Sequence, residues 1–270
     1  MFLNDKGYRF LQWYIRYINE QRANCLDGKG GVRVDQEYTY LNGLAELGVG
    51  GAHPGGFKLT QEILSAEHIG KKTTVLDAGC GTGQTAAYVA QQYGCQVTGL
   101  DHHQLMVEKA RKRVRTLGLP VQIVHGNTEA LPFADRQFDL VLSESVIVFT
   151  DMPTTVQEFR RVLKPGGCLI AIEMVLEQPV SQQKLAHIKD FYGVSQILTE
   201  EQWVQLFQKA GFQSIHSEKY DLQLGVQNVP DFSLSEDVDV KYFEMLEHHM
   251  IMFESTKEIL GFRVFRCKTV

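Results

Sequence analysis

Residues 75–84 read Val-Leu-Asp-Ala-Gly-Cys-Gly-Thr-Gly-Gln, an apolar run that carries an acid and opens into alternating glycines at 79, 81 and 83. Glycine at those positions lets a buried strand turn sharply into a helix and lets a ligand lie against bare main chain. Asp101 stands 18 residues beyond Gly83, at the end of the next apolar run, Gln96–Leu100. An acid about that far along receives ribose hydroxyls in nucleotide-binding βαβ units, so an adenosine-bearing ligand is implied.

The surrounding chain agrees with that fold. Short apolar runs at Thr73–Leu76, Gln96–Leu100, Val121–His125, Phe138–Ser143 and Gly167–Glu173 alternate with amphipathic segments, the pattern of a parallel sheet covered by helices. Helices are predicted over Gln84–Tyr93 and Gln104–Leu117, after the N-cap Asp151 with Pro153 in the first turn, and after the capping box Thr199-Glu-Glu-Gln202. The final run, Gly261–Lys268, alternates like a half-buried strand and predicts an antiparallel sheet edge with Gln213–Tyr220 as its partner. The fold class read from this is α/β: a Rossmann-like, doubly wound, mostly parallel sheet with helices on both faces, an antiparallel edge strand, and helical additions at both ends. Residues 1–60 are read as an N-terminal helical or lid segment, and 61–270 as the ligand-binding domain with acceptor-covering additions at about 174–260. The aromatic helix at 8–18 suits either a lid or a docked helix. Asn228-Val-Pro230 reads as a linker, and Phe243, Leu246, Met250 and Phe253 as the packed stripe of a late helix.

Gly81-x-Gly83-x-x-Ala86 also fits the dinucleotide fingerprint. Asp77 argues against that ligand, because it sets a carboxylate where a dinucleotide places its pyrophosphate. Like charges a few ångströms apart in a partly dry cleft cost on the order of 1–4 kcal/mol. A cationic ligand gains there instead. S-adenosylmethionine fits: its adenosine suits Asp101, its ammonium and sulfonium suit Asp77, and its carboxylate suits amides at a helix start.

Asp77-Ala-Gly-Cys-Gly-Thr-Gly83 resembles the first motif of class I S-adenosylmethionine-dependent methyltransferases, in a form similar to the ubiquinone- and menaquinone-biosynthesis branch. The resemblance covers roughly residues 73–175. It implies that Asp77, Gly79, Cys80, Gly81, Gly83 and Gln84 border the cofactor, with Cys80 a small loop residue and not a nucleophile. Val97–Asp101 resembles the ribose-binding strand, which implies His102 and Met106 beside the adenine. His125–Phe133 resembles the loop at the adenine edge, with Asn127 where the family usually has Asp, and Thr128 next to it. Phe138–Glu144 resembles the strand whose end, at Ser143, faces the methionine arm, and Leu163–Gly167 the turn into the fifth strand.

A methyl sulfonium is already activated, so catalysis consists mainly of aligning an acceptor, with a base needed only where the acceptor must lose a proton. Two catalytic candidates emerge. Glu144 ends a strand at the carboxyl edge where open α/β sheets bind ligands. His53 lies in the glycine-rich stretch Gly50–Gly56, which could fold over the cofactor or form a surface turn. Adjacent histidines at 102–103 and 248–249 diverge and lack a completing carboxylate, so no metal is expected.

The expected function is methyl transfer from S-adenosylmethionine to a small, partly apolar organic acceptor. The alternatives are a non-catalytic adenosylmethionine-binding scaffold and an NAD-dependent oxidoreductase. A net charge of −5, from 27 basic and 32 acidic residues, argues against a nucleic-acid partner. The dense run Lys109–Arg115 reads as the solvated side of an amphipathic helix. No apolar run approaches the about 18 residues a membrane span needs, and five unpatterned cysteines suggest neither a disulfide framework nor zinc. A cytoplasmic protein is expected, its oligomeric state open and a homodimer compatible with the sequence.

Overall fold

The computed structural model of the chain describes residues 38–220 and 231–269. The expected helix at 8–18 and the linker at 228–230 lie outside them. The elements, in chain order, are α1 (Tyr40–Leu47), β1 (Val49–Gly50), α2 (Gly56–Ser65), β2 (Thr74–Ala78), α3 (Gln84–Tyr93), β3 (Gln96–Asp101), α4 (Gln104–Thr116), β4 (Gln122–His125), β5 (Phe138–Glu144), a 3₁₀ turn (Ile147–Phe149), α5 (Met152–Val162), β6 (Leu163–Leu176), α6 (Gln182–Tyr192), α7 (Glu200–Lys209), β7 (Ser214–Lys219), β8 (Asp231–Phe232), α8 (Val240–Thr256) and β9 (Leu260–Lys268).

Seven strands form one sheet in the order β4-β3-β2-β5-β6-β9-β7. The first five run parallel, and β9 is antiparallel to both β6 and β7. The chain order reverses on either side of β2, so the carboxyl ends of β2, β3 and β5 open a crevice at the switch point, where such sheets bind ligands. β1 and β8 make a separate antiparallel ribbon, Val49 opposite Phe232 and Gly50 opposite Asp231.

Alternate residues of each buried strand serve opposite faces. Val75, Leu140, Leu142, Ile170 and Ile172 pack with Leu59, Ile63 and Leu64 of α2 and with Ala86, Val89 and Ala90 of α3. Leu76, Ala78, Val141, Leu169 and Ala171 pack on the other face with α1, α5, α6, α7 and α8. Each fully buried aliphatic side chain is worth roughly 1.5–3 kcal/mol of transfer free energy.

The local end signals act as the chemistry of free helix amides demands. Asp151 accepts the Thr154 N–H at 3.1 Å with Pro153 in the first turn of α5, and Thr199 and Gln202 form the reciprocal capping box of α7.

Three expectations shift. Lys164-Pro-Gly-Gly167 does not precede its strand but lies within β6, which begins at Leu163. The pairing jumps from Phe138–Leu163 to Leu140–Cys168, a bulge that takes up the extra residues. On α8 the buried residues are Tyr242, Phe243, Leu246 and Met252, while Met250 and Phe253 are only partly covered. The helix lies close against α1, where a Cβ on Gly43 would be 2.1 Å from Met245 Cε. Trp203, which falls in the stretch expected to cover the acceptor, is core instead. It is fully buried against Phe207 and Phe265, and its indole N–H donates to the Met174 carbonyl at 2.9 Å.

Candidate active site

The three glycines do different work. All have positive φ, at 78°, 52° and 75° for Gly79, Gly81 and Gly83, a region costly for side-chain-bearing residues. A Cβ on Gly79 would lie 2.3 Å from Val146 Cγ2, and one on Gly83 would lie 3.0 Å from Ala110 Cβ, so these two let neighbouring elements approach. A Cβ on Gly81 would meet nothing within 4 Å. Of the three, Gly81 presents the bare main chain to open space. The Cys80 side chain turns away into a cluster with Val107, Ala110, Val114 and Ile123.

The loop's amides face inward. Gly79 and Cys80 N–H donate to the Leu100 carbonyl at 2.7 and 2.9 Å, and Gly81 N–H donates to Asp101 Oδ2 at 2.8 Å. Asp101 Oδ1 accepts the His103 N–H at 2.8 Å, so its carboxylate ties the glycine loop to the start of α4. Amides used in this way are not available to cradle a pyrophosphate.

Asp77 is 2% exposed, and its Oδ2 has no hydrogen-bond partner among the described residues. Burial first, then the nearby Glu144 carboxylate, push its pKa well above the usual carboxylate range, opposed by the Ala86 N–H at the start of α3. Asp101 adds a further like charge. Ser143 Oγ and Gln84 Oε1 are also buried and unpartnered. A buried polar atom left without a partner is costly. Three of them, on β2, on β5 and at the start of α3, with acidic groups nearby and no cation bonded to Asp77 among the described residues, fit a ligand that carries positive charge and hydrogen-bond donors.

Around that centre, Met106 packs into the core beside Ala78 and Leu100, and the His102 side chain stays 67% exposed. Thr128 is buried and Asn127 is exposed, with its Oδ1 accepting the Glu129 N–H at 2.9 Å. This Asx turn leaves the Asn127 oxygen one further lone pair. Arg161 of α5 holds the same loop by donating to the carbonyls of Leu131 and Phe133 at 3.0 and 2.7 Å.

The two catalytic candidates, 91 positions apart in the chain, meet through Thr60 of α2. Thr60 Oγ1 lies 2.5 Å from Glu144 Oε1 and 3.0 Å from His53 Nε2, and His53 Nε2 is 3.5 Å from Glu144 Oε1. Thr85 donates to Glu144 Oε2 at 2.7 Å. His53 Nδ1 lies 3.1 Å from the Pro54 carbonyl, which can only accept, so Nδ1 carries a proton. His53, Thr60 and Glu144 thus form one contiguous hydrogen-bonded group.

Thr85 and Glu173 carry no sequence signal of their own. Glu173 is fully buried on β6, its Oε1 accepting the Val146 and Ile147 amides at 3.2 and 3.0 Å, and burial pushes its pKa up to about 8. A carboxyl raised from 4.5 when folded stabilises the fold fully below pH 4.5 and loses that contribution as pH rises through about 8. Glu173→Gln is expected to remove this dependence. In urea unfolding, wild type should lose up to about 4 kcal/mol relative to the variant between about pH 5 and pH 9, at 1.36 kcal/mol per pKa unit. A pH-independent difference would show that Glu173 is not the group responsible.

A methyltransferase-domain profile matches residues 75–167. YodH, an uncharacterized methyltransferase of Bacillus subtilis, is 36% identical over 229 residues, covering 84% of this chain and 97% of that protein. The chain belongs to the class I S-adenosylmethionine-dependent methyltransferases. The methyltransferase is also 34% identical over 150 residues to demethylmenaquinone methyltransferase of Chlorobaculum tepidum, across 55% of this chain and 59% of that one. It shares its fold with phosphoethanolamine N-methyltransferase 2 of Haemonchus contortus, whose structure contains S-adenosyl-L-methionine, with a TM-score of 0.68 at 19% identity over 80% of this chain and 53% of that one. Its cofactor is S-adenosylmethionine. No helix among the described residues is long and apolar enough to cross a membrane.

Proposed function

We propose that the methyltransferase transfers the methyl group to a small, partly apolar organic acceptor, and that His53, Thr60 and Glu144 handle the acceptor's proton. The observation that carries the cofactor site is the buried, unpartnered Asp77 oxygen beside Glu144 and the open face of Gly81. Bound S-adenosylmethionine supplies an activated methyl on a cationic sulfur. Asp77, Ser143 and Gln84 hold its charged methionine end in this reading. Asp101 takes the ribose hydroxyls on its remaining lone pairs, and His102, Met106, Asn127 and Thr128 border the adenine.

The protein's part is mainly placement. Holding an acceptor in line behind the methyl can remove roughly 7–11 kcal/mol of barrier as entropy already lost on binding. The His53–Thr60–Glu144 trio, with His53 nearly buried, takes up the proton of an acceptor that must ionise.

An acceptor with apolar surface is favoured by an aromatic group formed by Tyr40 of α1, Phe149 of the 3₁₀ turn, Phe191 and Tyr192 of α6, and His249 of α8. Burial lowers the His249 pKa to about 4 and raises that of Tyr192. The imidazole is thus neutral, with Nδ1 in a hydrogen bond to the Tyr192 hydroxyl at 3.2 Å, leaving the group uncharged. In this reading α1, α6 and α8, which carry most of this aromatic group, cover the acceptor.

Calorimetry with S-adenosylhomocysteine tests the cofactor site. Asp101→Ala is expected to weaken binding by at least about tenfold, a lost charge-assisted hydrogen bond being worth roughly 1.5–3 kcal/mol. Protection against heat by S-adenosylhomocysteine and not by NAD is the companion result. Unchanged affinity in the variant, or protection by NAD, would overturn the assignment.

A further inference from the structure

Two cations of the Lys109–Arg115 run are only half-exposed and bond to other segments, unlike the solvated face expected for that run. The Lys109 ammonium on α4 donates to the carbonyls of Ala45 and Glu46, at the last turn of α1, at 2.7 and 2.9 Å, and to that of Ser233, just past β8, at 2.5 Å. Three acceptors meet its three protons, and the end of α1 offers the negative pole of the helix. One turn further along, Arg113 Nε donates to the Thr82 carbonyl at 2.8 Å, inside the glycine loop, and its Nη2 pairs with Asp231 of β8. Ser233 and Ser235 N–H complete the lacing by donating to Gly48 and Glu46 carbonyls, each at 3.0 Å.

These bonds press the β1–β8 ribbon onto the loop. A Cβ on Gly50 would lie 2.7 Å from Gln84 Oε1 and 3.2 Å from Thr82 Oγ1, so the ribbon backbone rests directly on the start of α3. His53 follows three residues later.

We propose that Lys109 and Arg113 are positioning residues for cofactor capture: they clasp the ribbon over the glycine loop and so set the place of the segment that carries His53. The inference rests on the cofactor reading above. A point-like ammonium suits a socket of three carbonyls and a planar guanidinium suits a carbonyl beside a carboxylate, so each cation matches its own site. Closure of such a cover acts mainly on escape of a bound ligand.

The test is dissociation of S-adenosylhomocysteine from the full chain, followed by surface plasmon resonance. In Lys109→Met and Arg113→Met the off-rate is expected to rise about tenfold while the on-rate changes less than about threefold. Hydrogen exchange gives the second measurement, on the wild type, where amides of 48–51 should gain protection when S-adenosylhomocysteine binds. Off-rates within about twofold of wild type in both variants, whatever their thermal stability, would overturn the clasp. So would exchange at 48–51 that ignores the ligand, even if the variants fail to fold. Failure of the wild type to bind S-adenosylhomocysteine would overturn the cofactor site itself.

Discussion

Asp77→Asn is expected to weaken S-adenosylmethionine binding about a hundredfold and S-adenosylhomocysteine binding about tenfold, because a cation beside a carboxylate in a partly dry cleft gains about 1–4 kcal/mol. The difference between the ligands isolates the sulfonium charge, since both carry the ammonium. A pH dependence accompanies it. Burial and Glu144 raise the Asp77 pKa in the empty protein, and a bound cation lowers it again, so binding releases a proton. Affinity for S-adenosylmethionine should therefore rise with pH until the free carboxyl has ionised, then level off, and the Asn variant should lack that slope. Calorimetry in two buffers of different ionisation enthalpy measures the released proton. Equal losses for the two ligands, with no proton release, would mean that Asp77 serves only as a cap for α3.

His53→Gln is expected to lower turnover about 10²- to 10³-fold for an acceptor that ionises, within the range for removal of a general base, while S-adenosylhomocysteine affinity stays within about threefold. Gln fills much of the space of the imidazole yet cannot act as a base at neutral pH. Thr60→Val should reproduce part of the loss, because it breaks the hydroxyl link to Glu144 at 2.5 Å. Turnover equal to wild type in His53→Gln, measured under cofactor saturation, would remove His53 from the chemistry and leave methyl transfer to placement alone.

The Gly50–Gly56 stretch is packed at His53. His53 is 9% exposed, and its ring nitrogens face Pro54 and Thr60, so this stretch is no free surface turn. The Asp77 carboxylate faces the Ala86 N–H at the start of α3, while its Oδ2 has no partner among the described residues.

Legibility followed the range of each interaction. The strand-loop-helix at 75–84, the Asp101 spacing, the capping box at Thr199 and the antiparallel pair at the sheet's end could all be read directly, because each depends on residues a few positions apart or on a period of two or 3.6. Adjacency across the chain could not. Lys109 falls in a run that reads as solvated, yet it finds three carbonyls from segments 63 to 124 residues away, while the apolar Leu117 near the end of the same helix stays exposed. Trp203 reads equally well as pocket wall or core until Met174 and Phe265 arrive beside it. Glu173 sits in an apolar run whose pattern says nothing of the amides it meets. Local backbone preference and hydrophobic period travel with the chain itself, whereas desolvation, proton sharing and ion pairing depend on which distant groups the sheet order brings together.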